Sequence, residues 1–239
     1  LLVLATVHPS PAEPATTTLR FDYDYDNRLI SREIDGSKTW ILYDRRMPIA
    51  EFADGADDVN AVFFYSLDQT DDLHAVWREG VGERWFIKDH LGSIRGTLDG
   101  SGKLVSWVDY DSFGNLQGAA PAGLEPTRFA GRYFYDELGL YENRFRFYDP
   151  WLGRFIQTDP IHINGRDFNL YAYAGNNPLS FTDPLGTSAI EWGELVDLSS
   201  FYVTALCRLG NCVGTLWIGV VEGVVNLTPP ANPLPVKEC

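Results

Sequence analysis

The stretch Tyr110-Asp111-Ser112-Phe113-Gly114-Asn115-Leu116 decides the fold, because Tyr23-Asp24-Tyr25-Asp26-Asn27-Arg28-Leu29 repeats its pattern at identical internal spacing. Tyr suits a strand end, Asp can bond the backbone of a turn, and Gly or Asn accepts the positive φ such a turn requires. Tyr135-Asp136-Glu137-Leu138-Gly139 matches the first five positions, and Tyr148-Asp149-Pro150-Trp151-Leu152-Gly153-Arg154-Phe155 carries the pattern with one residue inserted. Any β-meander uses Asp and Gly in its turns, but four matches at near-constant spacing indicate a repeat.

Outward from these corners, runs such as Lys103-Leu104-Val105-Ser106-Trp107-Val108-Asp109-Tyr110 alternate apolar and polar residues. Turn clusters separate them: Asp35-Gly36, Asp54-Gly55, Asp99-Gly100-Ser101-Gly102 and Gly114-Asn115. Period-two alternation broken by Gly, Asp and Asn predicts consecutive antiparallel strands joined by tight turns. Up to about Ala15 the chain is apolar and then Pro-punctuated, as expected of a frayed end or a severed strand. From Ser188 the texture turns helical. Ser188-Ala189-Ile190-Glu191 reads as a capping box, and Trp192, Leu195, Val196, Leu198 and Phe201 fall near a helical stripe. A second apolar segment, Val213 to Leu227, is interrupted by Glu222 and falls short of the roughly 20 residues of a spanning helix. The fold class is therefore mostly β, an antiparallel sheet with a short helical C-terminal tail.

Lys and Arg total 19 against 33 Asp and Glu, a formal charge of −14, which argues against nucleic-acid binding by phosphate neutralisation. An aromatic content of 14% excludes a disordered polymer. The chain begins at Leu1 and is expected to be a piece of something longer. Cys207, Cys212 and Cys239 cannot staple the first two hundred residues; Cys207 and Cys212 either pair across a turn or stay as free thiols. His74, His90 and His162 lack a second His or Cys at ligand spacing, so no metal and no cofactor is expected. A phosphate loop and Gly-x-Ser-x-Gly are both missing. Trp40, Trp77, Trp85 and Trp107 are either core or a surface for stacking on sugars, core being the commoner use.

The Tyr-Asp units resemble the YD repeats of Rhs proteins, and residues 88–186 resemble the Rhs repeat-associated core domain. The resemblance is carried by Lys88-Asp89-His90-Leu91-Gly92-Ser93-Ile94-Arg95, Phe129-Ala130-Gly131, Gly139-Leu140-Tyr141-Glu142-Asn143-Arg144 and Arg146-Phe147-Tyr148-Asp149-Pro150. It continues through Gly153-Arg154-Phe155-Ile156-Gln157-Thr158-Asp159-Pro160 and Asn169-Leu170-Tyr171-Ala172-Tyr173-Ala174-Gly175-Asn176-Asn177-Pro178 to Asp183-Pro184-Leu185-Gly186. It implies a β-sheet that spirals into a hollow shell, a core domain that plugs its end, and a variable downstream segment cut free by that core. Four regions follow: a frayed or truncated 1–18, YD-repeat strands over 19–87, the core domain over 88–187 and a variable tail over 188–239. The implied partners are the chain's own tail, missing upstream YD repeats, and secretion machinery or toxin-complex components. Nucleic acid is not among them, and the glycine-rich apolar tail could meet a membrane. The implied location is secreted or at the cell surface.

Two Asp-Pro dipeptides, Asp159-Pro160 and Asp183-Pro184, stand in the closing part of this region. The resemblance implies self-cleavage of the aspartic type by Asp159, Asp183 and Arg146, with the cut among Gly186, Thr187 and Ser188. In that chemistry one carboxylate activates water, a second acid protonates the oxyanion or leaving nitrogen, and proximity of the two splits their proton affinities. Two positions depart from the family pattern: His162 replaces a usual Gly and Thr187 a usual Leu. The departures mean either slowed or lost cleavage or a tolerated variant. Asp-Pro is also an ordinary turn opener, and the alternation Arg144-Phe145-Arg146-Phe147 would place both arginines on one face, expected to be solvated. The competing functions are a recognition module binding carbohydrate or a neighbouring cell without cleavage, and an inactive remnant.

Overall fold

A computed structural model describes residues 3–7, 17–66, 71–161 and 169–187, and the backbone of short strands at 190–191, 207–208, 211–212, 220–221 and 224–225. The chain divides into two compact units, Leu1–Asp197 and Leu198–Cys239.

Ten strands form one antiparallel sheet in which each pairs with the next in sequence. They are β1 (Leu4–Val7), β2 (Thr17–Tyr23), β3 (Leu29–Ile34), β4 (Ser37–Asp44), β5 (Met47–Ala53), β6 (Val59–Tyr65), β7 (Leu73–Arg78), β8 (Gly82–Lys88), β9 (Ile94–Asp99) and β10 (Leu104–Trp107). We call this sheet the wall; it runs on past residue 88, into the stretch that resembles the core domain.

The corners explain the repeat. Asp24 Oδ1 accepts the N–H of Asp26 and of Arg28 at 2.9 Å, two and four residues on. Asp111 does the same for Phe113 and Asn115. In each, the fourth residue closes back on the Asp carbonyl and has positive φ, Asn27 at 59° and Gly114 at 90°. Asp89 and Asp99 build identical corners, ending on Gly92 and Gly102, without a preceding Tyr. The other two Tyr-Asp matches differ: the turn after Tyr135 closes on the Tyr135 carbonyl while Asp136 pairs with Arg128, and Asp149 accepts only from Leu152. Spacing alone does not decide which Asp makes a corner: Asp136 has a positive-φ glycine three residues on, as Asp111 has, but its carboxylate is taken by Arg128.

Beyond the wall come the pair β11 (Asp109–Tyr110) and β12 (Leu116–Gln117), then a four-stranded antiparallel sheet. Its members are β13 (Tyr133–Tyr135), β14 (Leu140–Asn143), β15 (Arg146–Asp149) and β16 (Arg154–Phe155). This plug has an aromatic core of Phe129, Tyr141, Tyr148, Phe155 and Tyr173, with Tyr148 and Tyr173 stacked at 4.0 Å. Gly114 permits the packing: a Cβ there would stand 2.5 Å from the Phe129 ring. Phe21 of β2 joins wall to plug, lying edge-on to Tyr135 at 5.1 Å and 5.3 Å from Phe147.

The tail departs from expectation at its start. Ile190–Glu191 (β18) pairs as a strand with Phe181–Thr182 (β17), where the capping box predicts a helix. The β17 strand offers these two residues a ladder partner, which local helix propensity cannot match. The stripe from Trp192 to Phe201 lies outside the described residues. In the second unit Cys207 stands opposite Cys212 in a two-residue ladder, and Val220–Val221 pairs with Val224–Val225.

The four tryptophans lie on the wall face turned away from the plug. Each neighbours a residue that packs inward: Trp40 beside Ile41, Trp77 beside Val76, Trp85 beside Phe86 and Trp107 beside buried Ser106. Of the two alternatives, Trp40, 39% exposed, and Trp107, 50% exposed, take the surface one.

Truncating the wall–plug contact by Phe21→Ala is expected to cost about 3–5 kcal/mol. Denaturant unfolding followed by tryptophan fluorescence would measure it; a loss under about 1 kcal/mol would mean that wall and plug are not joined through Phe21.

Candidate active site

The site is built on the β14–β15 hairpin. Asn143 pairs with Arg146 across the ladder, so Arg144 and Phe145 are the turn, with Arg144 at φ 57°. The turn breaks the strand alternation. Arg146 is consequently 2% exposed, in contrast to the solvated face expected from the sequence.

What covers it is the segment Asp183–Thr187, folded as one more Asp corner. Gly186 N–H donates to the Asp183 carbonyl, Gly186 has φ 69°, and Thr187 N–H donates to Asp183 Oδ1 at 2.9 Å. Every carbonyl from 183 to 186 is held from the plug sheet side. Asn143 Nδ2 donates to that of Asp183 (2.8 Å), Arg132 and Arg144 to that of Pro184 (3.2 Å each), Phe145 N–H to that of Leu185 (3.2 Å) and Arg146 Nε to that of Gly186 (2.6 Å). Only glycine fits at 186, since a Cβ would lie 2.6 Å from the Asn143 carbonyl oxygen. The absent Cβ therefore serves close packing.

Arg146 Nη2 lies 3.1 Å from Oδ2 of both Asp159 and Asp183, which places those oxygens within twice that distance of each other. Its Nη1 donates to the Leu170 carbonyl at 3.0 Å, and its guanidinium carbon sits 3.6 Å from the centre of the Phe155 ring. Asp183 is 2% and Asp159 8% exposed. Asp159 Oδ1 accepts the Ile161 N–H at 2.9 Å, while the Asp159 N–H bonds the Leu170 carbonyl. Burial pulls the Arg146 guanidinium below the ordinary arginine value; Asp183 and Asp159 pull the other way.

A second group of charges stands behind the hairpin. Asp71 ion-pairs with Arg144 through both carboxylate oxygens and with Arg132 at 3.2 Å. Burial alone would raise its pKa, but Arg144 and Arg132 outweigh burial and hold it at about 2. Glu142 accepts the Arg144 N–H at 2.7 Å, and burial pushes it up despite Arg144 and Arg132. A cavity of about 70 Å³ lies here between wall and plug, bordered by Arg32, Glu51, Asp71, Glu142 and Arg144. It is far below the roughly 300–1,000 Å³ of a small-molecule pocket.

The structure thus brings together Asp159, Asp183, Arg146, Gly186 and Thr187, while Ser188 and His162 lie outside the described residues. Sequence reasoning did not assign roles to Asn143, Arg132, Arg144 or Asp71. Asn143 and Arg144 stand inside a quoted motif, but Asp71 has no local signal. Chemically, the Gly186–Thr187 peptide is gripped at both ends, its carbonyl on a cation and its N–H on a carboxylate. The peptide at the acids is the chain's own.

The family model described as Teneurin YD-shell matches residues 10–179. Among curated proteins, "Toxin subunit YenC2" of Yersinia entomophaga is 35% identical over 139 residues, 55% of this chain and 14% of that protein. "Double-stranded DNA deaminase toxin A" of Burkholderia cenocepacia is 42% identical over 108 residues, 42% of this chain and 7% of that protein. A solved structure of TcdB2-TccC3-TEV superposes with a TM-score of 0.59 at 19% identity, covering 77% of this chain and 10% of that one. The chain spans at most 14% of the length of these relatives.

Replacing Arg146 by Met leaves two buried carboxylates without their cation. The expected loss is about 3–5 kcal/mol at pH 7. The difference from wild type is expected to shrink as pH falls toward 4, because protonation neutralises the carboxylates that have lost their cation. Denaturation midpoints across that pH range check both, and a loss independent of pH would mean that the three groups do not interact.

Proposed function

The chain belongs to the Teneurin YD-shell family, and from that premise we propose that it forms the last turns and the plug of a toxin-enclosing shell of the Rhs kind, whose plug cuts its own chain beside Gly186. The reading rests on one observation: Arg146 Nε donates to the Gly186 carbonyl, Asp183 Oδ1 accepts from Thr187 N–H, and Asp159 shares the same guanidinium.

The chemistry follows from those contacts. Arg146 polarises the Gly186 carbonyl and stabilises the oxyanion that forms when water adds to it. Asp159 takes a proton from the water as its oxygen bonds the Gly186 carbon. That proton passes through Asp183, which stands at the Thr187 nitrogen, to this nitrogen as the C–N bond breaks, leaving a carboxyl at Gly186 and an amine at Thr187. The reaction is intramolecular and needs no binding step. The released segment is the tail beyond the plug. The shell acts outside the producing cell together with upstream YD repeats; the names of its relatives, a toxin subunit and TcdB2-TccC3, favour toxin-complex components as partners.

A second reading, recognition of carbohydrate without cleavage, is favoured by Trp40 and Trp107 standing exposed on the outer wall face.

Intact-mass analysis of the purified chain separates the two. The expected result is two fragments divided at Gly186–Thr187 and an uncut Asp159→Asn chain. A wild-type chain that stays whole over prolonged incubation at neutral and mildly acidic pH would overturn the cleavage reading. Glycan binding that Trp107→Ala abolishes would then support the second.

A further inference from the structure

We propose that Asp71, which the wall contributes between β6 and β7, is a positioning residue for the cut: it sets the two arginines that hold the Pro184 carbonyl, so that the cleavage segment is in register only when the wall is seated on the plug. The inference rests on the self-cleavage reading above.

Asp71 is far from the site in sequence but only one side chain away in space. Arg144 Nη1 makes two bonds at once, to Asp71 Oδ2 at 2.7 Å and to the Pro184 carbonyl at 3.2 Å. Arg132 spans the same two groups with different nitrogens, Nη2 to Asp71 Oδ2 and Nη1 to the Pro184 carbonyl, each at 3.2 Å. Two guanidiniums therefore converge on one carbonyl oxygen. Buried like charges cannot stay so close without an anion between them, and the Asp71 side chain, 3% exposed, is that anion. Remove its charge and the arginines separate, taking with them the grip on Pro184, two residues before the bond at Gly186. Displacements of about 1 Å at a reacting group cost on the order of a hundredfold in rate.

Other buried ion pairs near this junction do not reach the segment. Arg78 of β7 pairs with Glu125 on the plug side at 2.8 Å, and Arg32 of β3 with Glu51 of β5 at 2.9 Å; neither contacts residues 183–187. Glu125→Gln thus breaks a wall–plug ion pair while leaving the cleavage segment untouched, the control that a purely adhesive role for Asp71 calls for.

The experiment follows fragment appearance by mass spectrometry in the full chain for wild type, Asp71→Asn, Asp71→Glu and Glu125→Gln, with melting temperatures measured in an Asp159→Asn background. Asp71→Asn is expected to cut at least about tenfold more slowly than Glu125→Gln at a comparable loss of melting temperature, and Asp71→Glu to recover most of the rate. Equal slowing of Asp71→Asn and Glu125→Gln at equal loss of stability, or wild-type cutting by Asp71→Asn, would overturn the proposal while leaving self-cleavage standing. A wild type that does not cut would overturn both. Should Asp71→Asn not fold, Arg132→Gln carries the same test: it removes one donor to Pro184 and leaves Asp71 paired with Arg144, and slowed cutting supports the proposal whereas an unchanged rate defeats it.

Discussion

A guanidinium cannot be buried alone, and Arg146 is buried. Desolvation makes its charge expensive, so the fold must bring anions and carbonyls to it. Asp159 and Asp183 both meet its Nη2, Leu170 and Gly186 supply carbonyl oxygens, and Phe155 lies against its face. That one requirement draws two Asp-Pro dipeptides, distant in sequence, into a single site. It also fixes where the chain runs as it leaves the plug.

On the proposed reading, the corner at Asp183 puts a structural unit to chemical use. At Asp24, Asp89 and Asp99 in the wall, and at Asp111 beyond it, an aspartate opens a turn, collects N–H groups and lets a left-handed residue close the loop. Asp183 makes the same kind of turn with Oδ1 and the Gly186 N–H, which frees Oδ2 for Arg146. The turn-opener reading and the active-site reading of Asp183-Pro184 are therefore compatible: the corner presents the Gly186–Thr187 peptide, and its aspartate stands at the peptide nitrogen.

The wall was legible because its signals are local. Alternation and the Asp-Gly turns mark the strands, and the Tyr-Asp spacing finds the corners at Asp24 and Asp111. The Asp89 and Asp99 corners escaped the Tyr-Asp pattern because Tyr is dispensable to them: the Asp oxygen and a residue of positive φ suffice. Asp159, Asp183 and Arg146 could be named through family resemblance. Their burial could not, because alternation over Arg144–Phe147 ignores the turn that Asn143 and Arg146 close by pairing. Asp71 was invisible: its partners lie more than sixty residues downstream, and nothing near it in sequence specifies two arginines. Ile190–Glu191 took a strand against its local helical texture because β17 offered a ladder.

If Arg146 and its two carboxylates lock the exit of the plug, the amides of residues 183–187 must share the protection of the sheet beneath them. Amide hydrogen exchange resolved to single residues on the intact chain tests this directly. The Gly186 and Thr187 N–H groups should exchange as slowly as Phe147 in β15. Exchange of both at the rate of an open peptide, with β15 still protected, would contradict the account.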